Sequence, residues 1–277
     1  MKRKCFIRAK TIHCGITGYK EIDIVPRTNL QDISVRGKRK RIRESSPKQK
    51  NLNDKNSKRN LVQVVNGNFI EGDIHVSATY NNKYLPKTVE EAKRILTNFL
   101  RRVDGKMKKQ GIELKYVAVT EYNFAKDDDE KTVRIHHHII INGGLDRDEI
   151  EDLWCSRRKK GEKKGERLGW INADRLQLDK NGLEALCEYI TKSKKSKKGW
   201  SSSRNLIRPY STKNDSKFSR REVERIAKSN DPAKEIEEKY PQLNIAEVKV
   251  KYYEEDGWHI YVKAWDKEDK KRCRKIE

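Results

Sequence analysis

The stretch Val133-Arg134-Ile135-His136-His137-His138-Ile139-Ile140-Ile141 organises the rest of the chain, and Asn-Gly-Gly follows it at once. A run of β-branched residues that stops at a turn signal predicts a strand. Because side chains alternate along a strand, His136 and His138 should lie on one face and His137 on the other. A bland alternative is a chance cluster on a solvated edge. Half of the six histidines lie here among apolar residues, which favours a site for one divalent metal ion.

A third metal ligand is expected from the preceding segment. Residues 114–124 have the composition of a buried strand, and the acidic residues 127–130 separate them from the histidine strand. Two strands joined by a short polar loop most simply form an antiparallel hairpin. Such a hairpin brings Glu121 back beside the start of the histidine strand. We therefore predict Glu121 as a metal ligand, in preference to an edge carboxylate paired with one of the many lysines.

The flanking segments predict the elements around this hairpin. Residues 73–80 alternate as a strand does, and Thr88 with Glu91 forms a capping-box pattern at the start of an amphipathic helix. A second helix is predicted over residues 182–192, with Tyr189 and Lys192 three positions apart and therefore on one side. Short runs near both ends of the chain predict two further hairpins.

The composition indicates a polyanionic partner. Lys and Arg number 65 against 42 Asp and Glu, a net charge of +23, and an excess of this size points to nucleic acid more than to solubility alone. The five cysteines show no Cys-x-x-Cys pair, so neither a zinc module nor a disulfide framework is predicted. No apolar run is long enough to span a bilayer and no signal peptide follows the basic start. We expect a cytosolic protein with no membrane partner.

The predicted ligand set suggests phosphoryl chemistry. Two imidazoles and one carboxylate leave coordination positions open for water or a phosphate oxygen. A metal held in this way acts as a Lewis acid on a phosphoryl group. A tyrosine nucleophile must lose a proton whose ordinary pKa is near 10, and the ammonium of Lys192 would favour that loss at Tyr189 or steady the phosphate. The alternative for Tyr189 is an ordinary tyrosine of an amphipathic helix.

Three motifs in order resemble those of the His-hydrophobic-His endonucleases, specifically the single-tyrosine rolling-circle replication initiators of bacterial plasmids and phages. Residues 75–80 (His-Val-Ser-Ala-Thr-Tyr) resemble the first motif, and residues 134–140 (Arg-Ile-His-His-His-Ile-Ile) the second. Residues 189–192 (Tyr-Ile-Thr-Lys) resemble the third. The middle position of the second motif, usually a bulky apolar residue, is His137 here.

The resemblance implies an α+β fold with an antiparallel sheet of about five strands and flanking helices. It also implies dependence on Mg²⁺ or Mn²⁺ and nicking of one strand of single-stranded or hairpin origin DNA. The tyrosine would keep a covalent 5′-phosphate, and reverse attack by a 3′-OH would rejoin strands. No nucleotide-binding motor motif occurs, so a host helicase and polymerase, and the bacterial cytoplasm, are implied as partners and location.

Basic residues around the motifs are the expected DNA contacts: Arg134, Lys194, Lys195, Lys197, Lys198 and Arg204. The domain prediction is an N-terminal hairpin and basic linker over residues 1–47, an endonuclease domain over 48–200, and a basic C-terminal extension with helices and a hairpin over 201–277. Two other functions are consistent with the sequence. One is a non-catalytic DNA-binding protein of replication control, and the other is a plasmid-mobilisation relaxase, which typically places its tyrosine before the histidines.

Overall fold

The computed structural model describes residues 5–32, 46–123, 133–158, 160–162, 164–192 and 199–267. The strands are, in chain order, β1 (Cys5–Cys14), β2 (Tyr19–Thr28), β3 (Ile74–Ala78), β4 (Tyr116–Asn123), β5 (Val133–Ile141), β6 (Ile171–Arg175), β7 (Ser201–Ser202), β8 (Tyr210–Asn214), β9 (Leu243–Tyr253) and β10 (Gly257–Asp266). The α-helices are α1 (Pro47–Asn68), α2 (Val89–Lys109), α3 (Arg147–Asp152), α4 (Glu184–Ile190), α5 (Arg220–Ala227) and α6 (Pro232–Lys239). The predicted α+β class is confirmed.

The chain forms two compact units. The terminal unit combines Met1–Asn68 with Ile207–Glu277, and the central unit is Phe69–Leu206. The two ends of the chain, which the predicted domain ranges keep apart, are thus grouped by their contacts. The ranges themselves stay a prediction about independently folding domains.

The terminal unit contains an antiparallel sheet of strand order β8-β1-β2-β10-β9. Its apolar cluster joins Ile22, Ile24 and Ile260 of the sheet to Val223 of α5 and Ile236 of α6. The predicted hairpins at the two ends of the chain therefore pair with each other through β2 and β10. Every residue of β8 is exposed, so no apolar alternation marks this strand in a segment that the sequence indicated as a loop.

The central unit contains the histidine strand. Its antiparallel sheet has the order β6-β3-β5-β4-β7, so β5 lies in the middle with a partner on each side. One face of this sheet packs its apolar residues, such as Val76 and Ile139, in the same core cluster as Phe99 and Leu96 of α2. Alternation along β5 leaves the other face for His136 and His138.

The ends of these elements follow local chemistry. The Thr88 hydroxyl accepts a hydrogen bond from the Glu91 amide and caps α2. After β5, Gly144 has a φ of +132°, a conformation that side chains rarely adopt, and the preceding amide of Gly143 donates to a carboxylate oxygen of Asp73 at 2.7 Å. Burial raises the pKa of Asp73 above its ordinary value. Within the described part of the chain, no helix has both the length and the apolar character needed to cross a bilayer.

Candidate functional site

The hairpin of β4 and β5 brings a carboxylate and two imidazoles together. Glu121 and His136 are paired directly across the two strands, so their side chains lie on the same face. The Glu121 Oε2 atom is 3.2 Å from Nε2 of His136 and 3.7 Å from Nε2 of His138. One ligand atom from each of the three residues lies within 4.8 Å of the others. We call these three residues the triad; they form a possible metal-binding site.

The His136 ring is oriented by the backbone. Its Nδ1 lies 2.9 Å from the carbonyl oxygen of Arg134, and only a donor satisfies that contact. The proton is therefore assigned to Nδ1, which leaves the lone pair of Nε2 directed towards Glu121. Metal-binding histidines are commonly fixed in this way by a hydrogen bond from the other ring nitrogen.

The His138 ring is buried and has a second histidine behind it. Nδ1 of His138 lies 3.3 Å from Nε2 of His75, and the two rings stack with centroids 5.4 Å apart. Burial, and next the neighbouring His75 and His136, lower the pKa of His138 to about 4. At neutral pH the ring is therefore uncharged, the form that binds a metal ion.

His137 lies on the opposite face and belongs to the core. It is fully buried, with Nε2 at 2.6 Å from the Tyr80 hydroxyl and Nδ1 at 3.0 Å from the Thr120 hydroxyl. Its ring also meets the Trp154 ring edge to face. Burial lowers the pKa of His137 to about 3. The imidazole thus replaces the apolar residue that this position usually holds and satisfies both of its nitrogens within the core.

Helix α4 places a tyrosine beside the triad. The ring of Tyr189 lies edge-on to the ring of His138 with centroids 5.4 Å apart, and 61% of its surface is exposed. Lys192 lies beyond the end of the helix, because α4 ends at Ile190 and Thr191 is its C-cap. Its amide donates to the carbonyl of Tyr189 at 3.2 Å, and its side chain is exposed. The predicted helix over residues 182–192 is thus shorter than expected at both ends.

The comparison with known families concerns this part of the chain. Residues 73–194 match the family of the replication-associated protein ORF2. The matched segment lies within the central unit and includes the triad, Tyr189 and Lys192, although it covers less than half of the 277 residues. No curated protein and no solved structure matches the chain significantly. The match supports a role in the initiation of DNA replication.

The expected DNA-contacting residues differ in how far the structure describes them. Arg134 is exposed, and its guanidinium donates to the carbonyl of Tyr80 at 3.2 Å and to the side chain of Asn82 at 3.0 Å. Arg204 is exposed in the turn after β7. The lysines expected to bind DNA lie outside the described residues: Lys194, Lys195, Lys197 and Lys198. The DNA-binding role of all six basic residues stays a prediction.

Proposed function

We propose that the chain nicks and rejoins single-stranded origin DNA by tyrosine transesterification, and so initiates rolling-circle replication. The observation that carries the proposal is the position of Tyr189 beside a triad of two imidazoles and one carboxylate. A nucleophile and a set of metal ligands on neighbouring elements are the parts that phosphoryl transfer to a side chain requires. The match to a replication-associated family adds support from an independent source.

The triad would hold the metal ion through Nε2 of His136, Nε2 of His138 and a carboxylate oxygen of Glu121. The donor set fits a divalent ion that accepts both nitrogen and oxygen ligands, and we propose Mn²⁺ or Mg²⁺. When bound, the ion would supply Lewis-acid polarisation of the scissile phosphate. The triad histidines enter as neutral ligands, because burial already disfavours protonation of His138.

The chemical step is a substitution at phosphorus. The phenol oxygen of Tyr189 attacks the scissile phosphate, the bond from phosphorus to the 3′ oxygen breaks, and a 5′-phosphotyrosine forms. The proton that the phenol loses balances the proton gained by the leaving 3′ oxygen. We propose that the exposed ammonium of Lys192 steadies the negative charge during this transfer. Reverse attack by a 3′-OH on the phosphotyrosine rejoins the strand and releases Tyr189.

The partners follow from this activity. The strong positive charge of the chain favours the phosphate backbone of single-stranded or hairpin DNA. We propose that a host helicase and polymerase extend the free 3′-OH, and that the reaction takes place in the bacterial cytoplasm, where plasmid and phage DNA is copied.

The test is covalent capture on a denaturing gel. The protein is incubated with a pool of labelled single-stranded oligonucleotides that includes origin hairpins, in Mn²⁺ or in EDTA. We expect a labelled band that survives SDS, requires Mn²⁺ and is lost in Tyr189→Phe. Tyr210→Phe is the matched control, because Tyr210 is 62% exposed against 61% for Tyr189. DNA binding without any adduct would instead identify a non-catalytic replication-control protein.

A further inference from the structure

A groove opens beside the triad in the central unit. It encloses about 530 Å³, within the roughly 300–1,000 Å³ of small-molecule binding sites. His75 contributes to its wall and also contacts His138 of the triad at 3.3 Å. The groove is therefore continuous with the candidate metal site through a single side chain.

Helix α4 connects the groove to the nucleophile. Leu183 and Leu186 line the groove, whereas Tyr189 lies beside His138. Residues three apart on a helix lie on the same side, so one side of α4 presents Leu186 to the groove and Tyr189 to the triad. A ligand in the groove would thus be a direct neighbour of the group that Tyr189 attacks.

The walls of the groove carry both hydrogen-bond donors and acceptors. Asp174 is the cross-strand partner of His75, and its Oδ1 lies 3.4 Å from a guanidinium nitrogen of Arg147. Arg147 also donates through Nε to the carbonyl of Ala173, which fixes its position. Arg175 supplies a second guanidinium. The leucines and the His75 ring provide an apolar and aromatic surface between these polar groups.

This combination suits a nucleobase better than a phosphate. A carboxylate in the wall repels a phosphate, but it accepts hydrogen bonds from exocyclic amino groups of bases, and arginine donates to base oxygen and nitrogen atoms. In single-stranded DNA the base edges are unpaired and the rings are free to stack. We infer that the groove binds one base of the single strand next to the scissile phosphate and reads its identity. The inference rests on the proposed function, because that function places the scissile phosphate at Tyr189.

The experiment compares base preferences around the nick. Wild-type protein and two groove variants, Asp174→Asn and Leu186→Trp, are incubated with Mn²⁺ and a pool of single-stranded oligonucleotides with a randomised window. The covalent adducts are sequenced. Asp174→Asn removes the charge of an acceptor whose side chain is 57% exposed, and Leu186→Trp fills the groove. Glu188→Gln is the control, since Glu188 is exposed on the same helix and does not line the groove.

We expect each groove variant to change the preference at one position beside the nick by about tenfold and to leave the other positions as in wild type. Glu188→Gln should reproduce the wild-type preferences. Unchanged preferences in both groove variants, or an equal loss at every position, would overturn the base-reading role. Thermal melting of each variant separates a change in reading from loss of the fold.

A parallel selection separates this inference from the proposed function. The same pool is bound in EDTA to Tyr189→Phe, alone and combined with Asp174→Asn, and the retained DNA is sequenced. If wild type forms no adduct but Asp174→Asn still shifts the bound sequences at one position, transesterification fails and the base-binding groove stands. If adducts form and neither selection shifts, the groove inference fails and transesterification stands. The absence of adducts together with unshifted binding rejects both.

Discussion

Substitution of His137 and of His136 by alanine should have opposite consequences, although the two residues are adjacent. His137→Ala removes the partner of two hydroxyl groups, those of the buried Tyr80 and of Thr120. Each buried hydroxyl left without a partner costs about 1–3 kcal/mol, and the cavity left by the ring adds about 2–4 kcal/mol. We expect His137→Ala to lower the free energy of unfolding of the central unit by about 5 kcal/mol, a large share of the roughly 5–15 kcal/mol typical of a domain.

His136→Ala should cost far less stability and far more metal affinity. The His136 side chain is 22% exposed and gives up one hydrogen bond, to a backbone carbonyl. Such a loss is worth about 1 kcal/mol. Because the variant removes a proposed ligand, we expect its Mn²⁺ affinity to fall more than about tenfold, as losses at metal sites commonly do. His138→Ala should lose affinity similarly.

Two measurements check this contrast. Urea unfolding in EDTA, followed by tryptophan fluorescence, gives the stability of each variant, and calorimetric titration with Mn²⁺ gives affinity at a temperature where the variant is folded. Nicking rates alone do not distinguish the roles, because an unfolded His137→Ala protein is also inactive. The reasoning is refuted if folded His137→Ala loses Mn²⁺ binding while His136→Ala keeps it, or if His137→Ala unfolds at the wild-type urea concentration.

Four further predictions concern the rest of the molecule. Thr88→Ala removes the cap of α2 and should cost about 1 kcal/mol, seen as a lower urea midpoint; Thr88→Ser should restore it. In the native protein, a thiol reagent should label the exposed Cys5 before the buried Cys187, whose thiol pKa is raised by burial; equal rates in peptide mapping would contradict this. The folded pKa values of His137 and His138, about 3 and about 4, lie below the unfolded value near 6.5, so the unfolded chain takes up more protons in acid. The urea midpoint of the central unit should therefore be constant above about pH 6.5 and fall as the pH is lowered towards 4; a midpoint that rises in this range would contradict it. Excess Mn²⁺ at about 100 times its dissociation constant should stabilise the central unit by about 2.7 kcal/mol, a rise in melting temperature that EDTA reverses.

The triad was predictable because it depends on local periodicity. Strand alternation separates His136 and His138 from His137, and the shortest antiparallel connection brings Glu121 to the same edge. The register was not predictable, since the ladder of β4 and β5 shifts between Glu121 and Asn123 and no residue type specifies such a shift. The proximity of Tyr189 to His138 depends on how α4 docks on the sheet, and only the resemblance of its motif indicated a role.

The terminal sheet illustrates the opposite case. Strand β2 pairs with β10, near the other end of the chain, and no local pattern encodes a pairing over such a separation. Both strands alternate well enough to be recognised as hairpin strands, but their partners are chosen by the packing of Ile22 and Ile24 against Ile260 and Val262. The sequence therefore predicts the pieces of this sheet and not its assembly.

The clasp at Asn68 bears on the order in which the chain folds during synthesis. The side-chain oxygen of Asn68 accepts a hydrogen bond from the amide of Ile207 at 2.8 Å, and its amide group donates to the Ile207 carbonyl at 2.9 Å. The chain thus leaves and re-enters the terminal unit at one point, with all of Phe69–Leu206 between. On the ribosome, β1 and β2 emerge early but must wait for β8, β9 and β10 to complete their sheet. The central unit, with its candidate catalytic residues, has all of its strands available first and is expected to mature as an insert within a host that closes around its ends last.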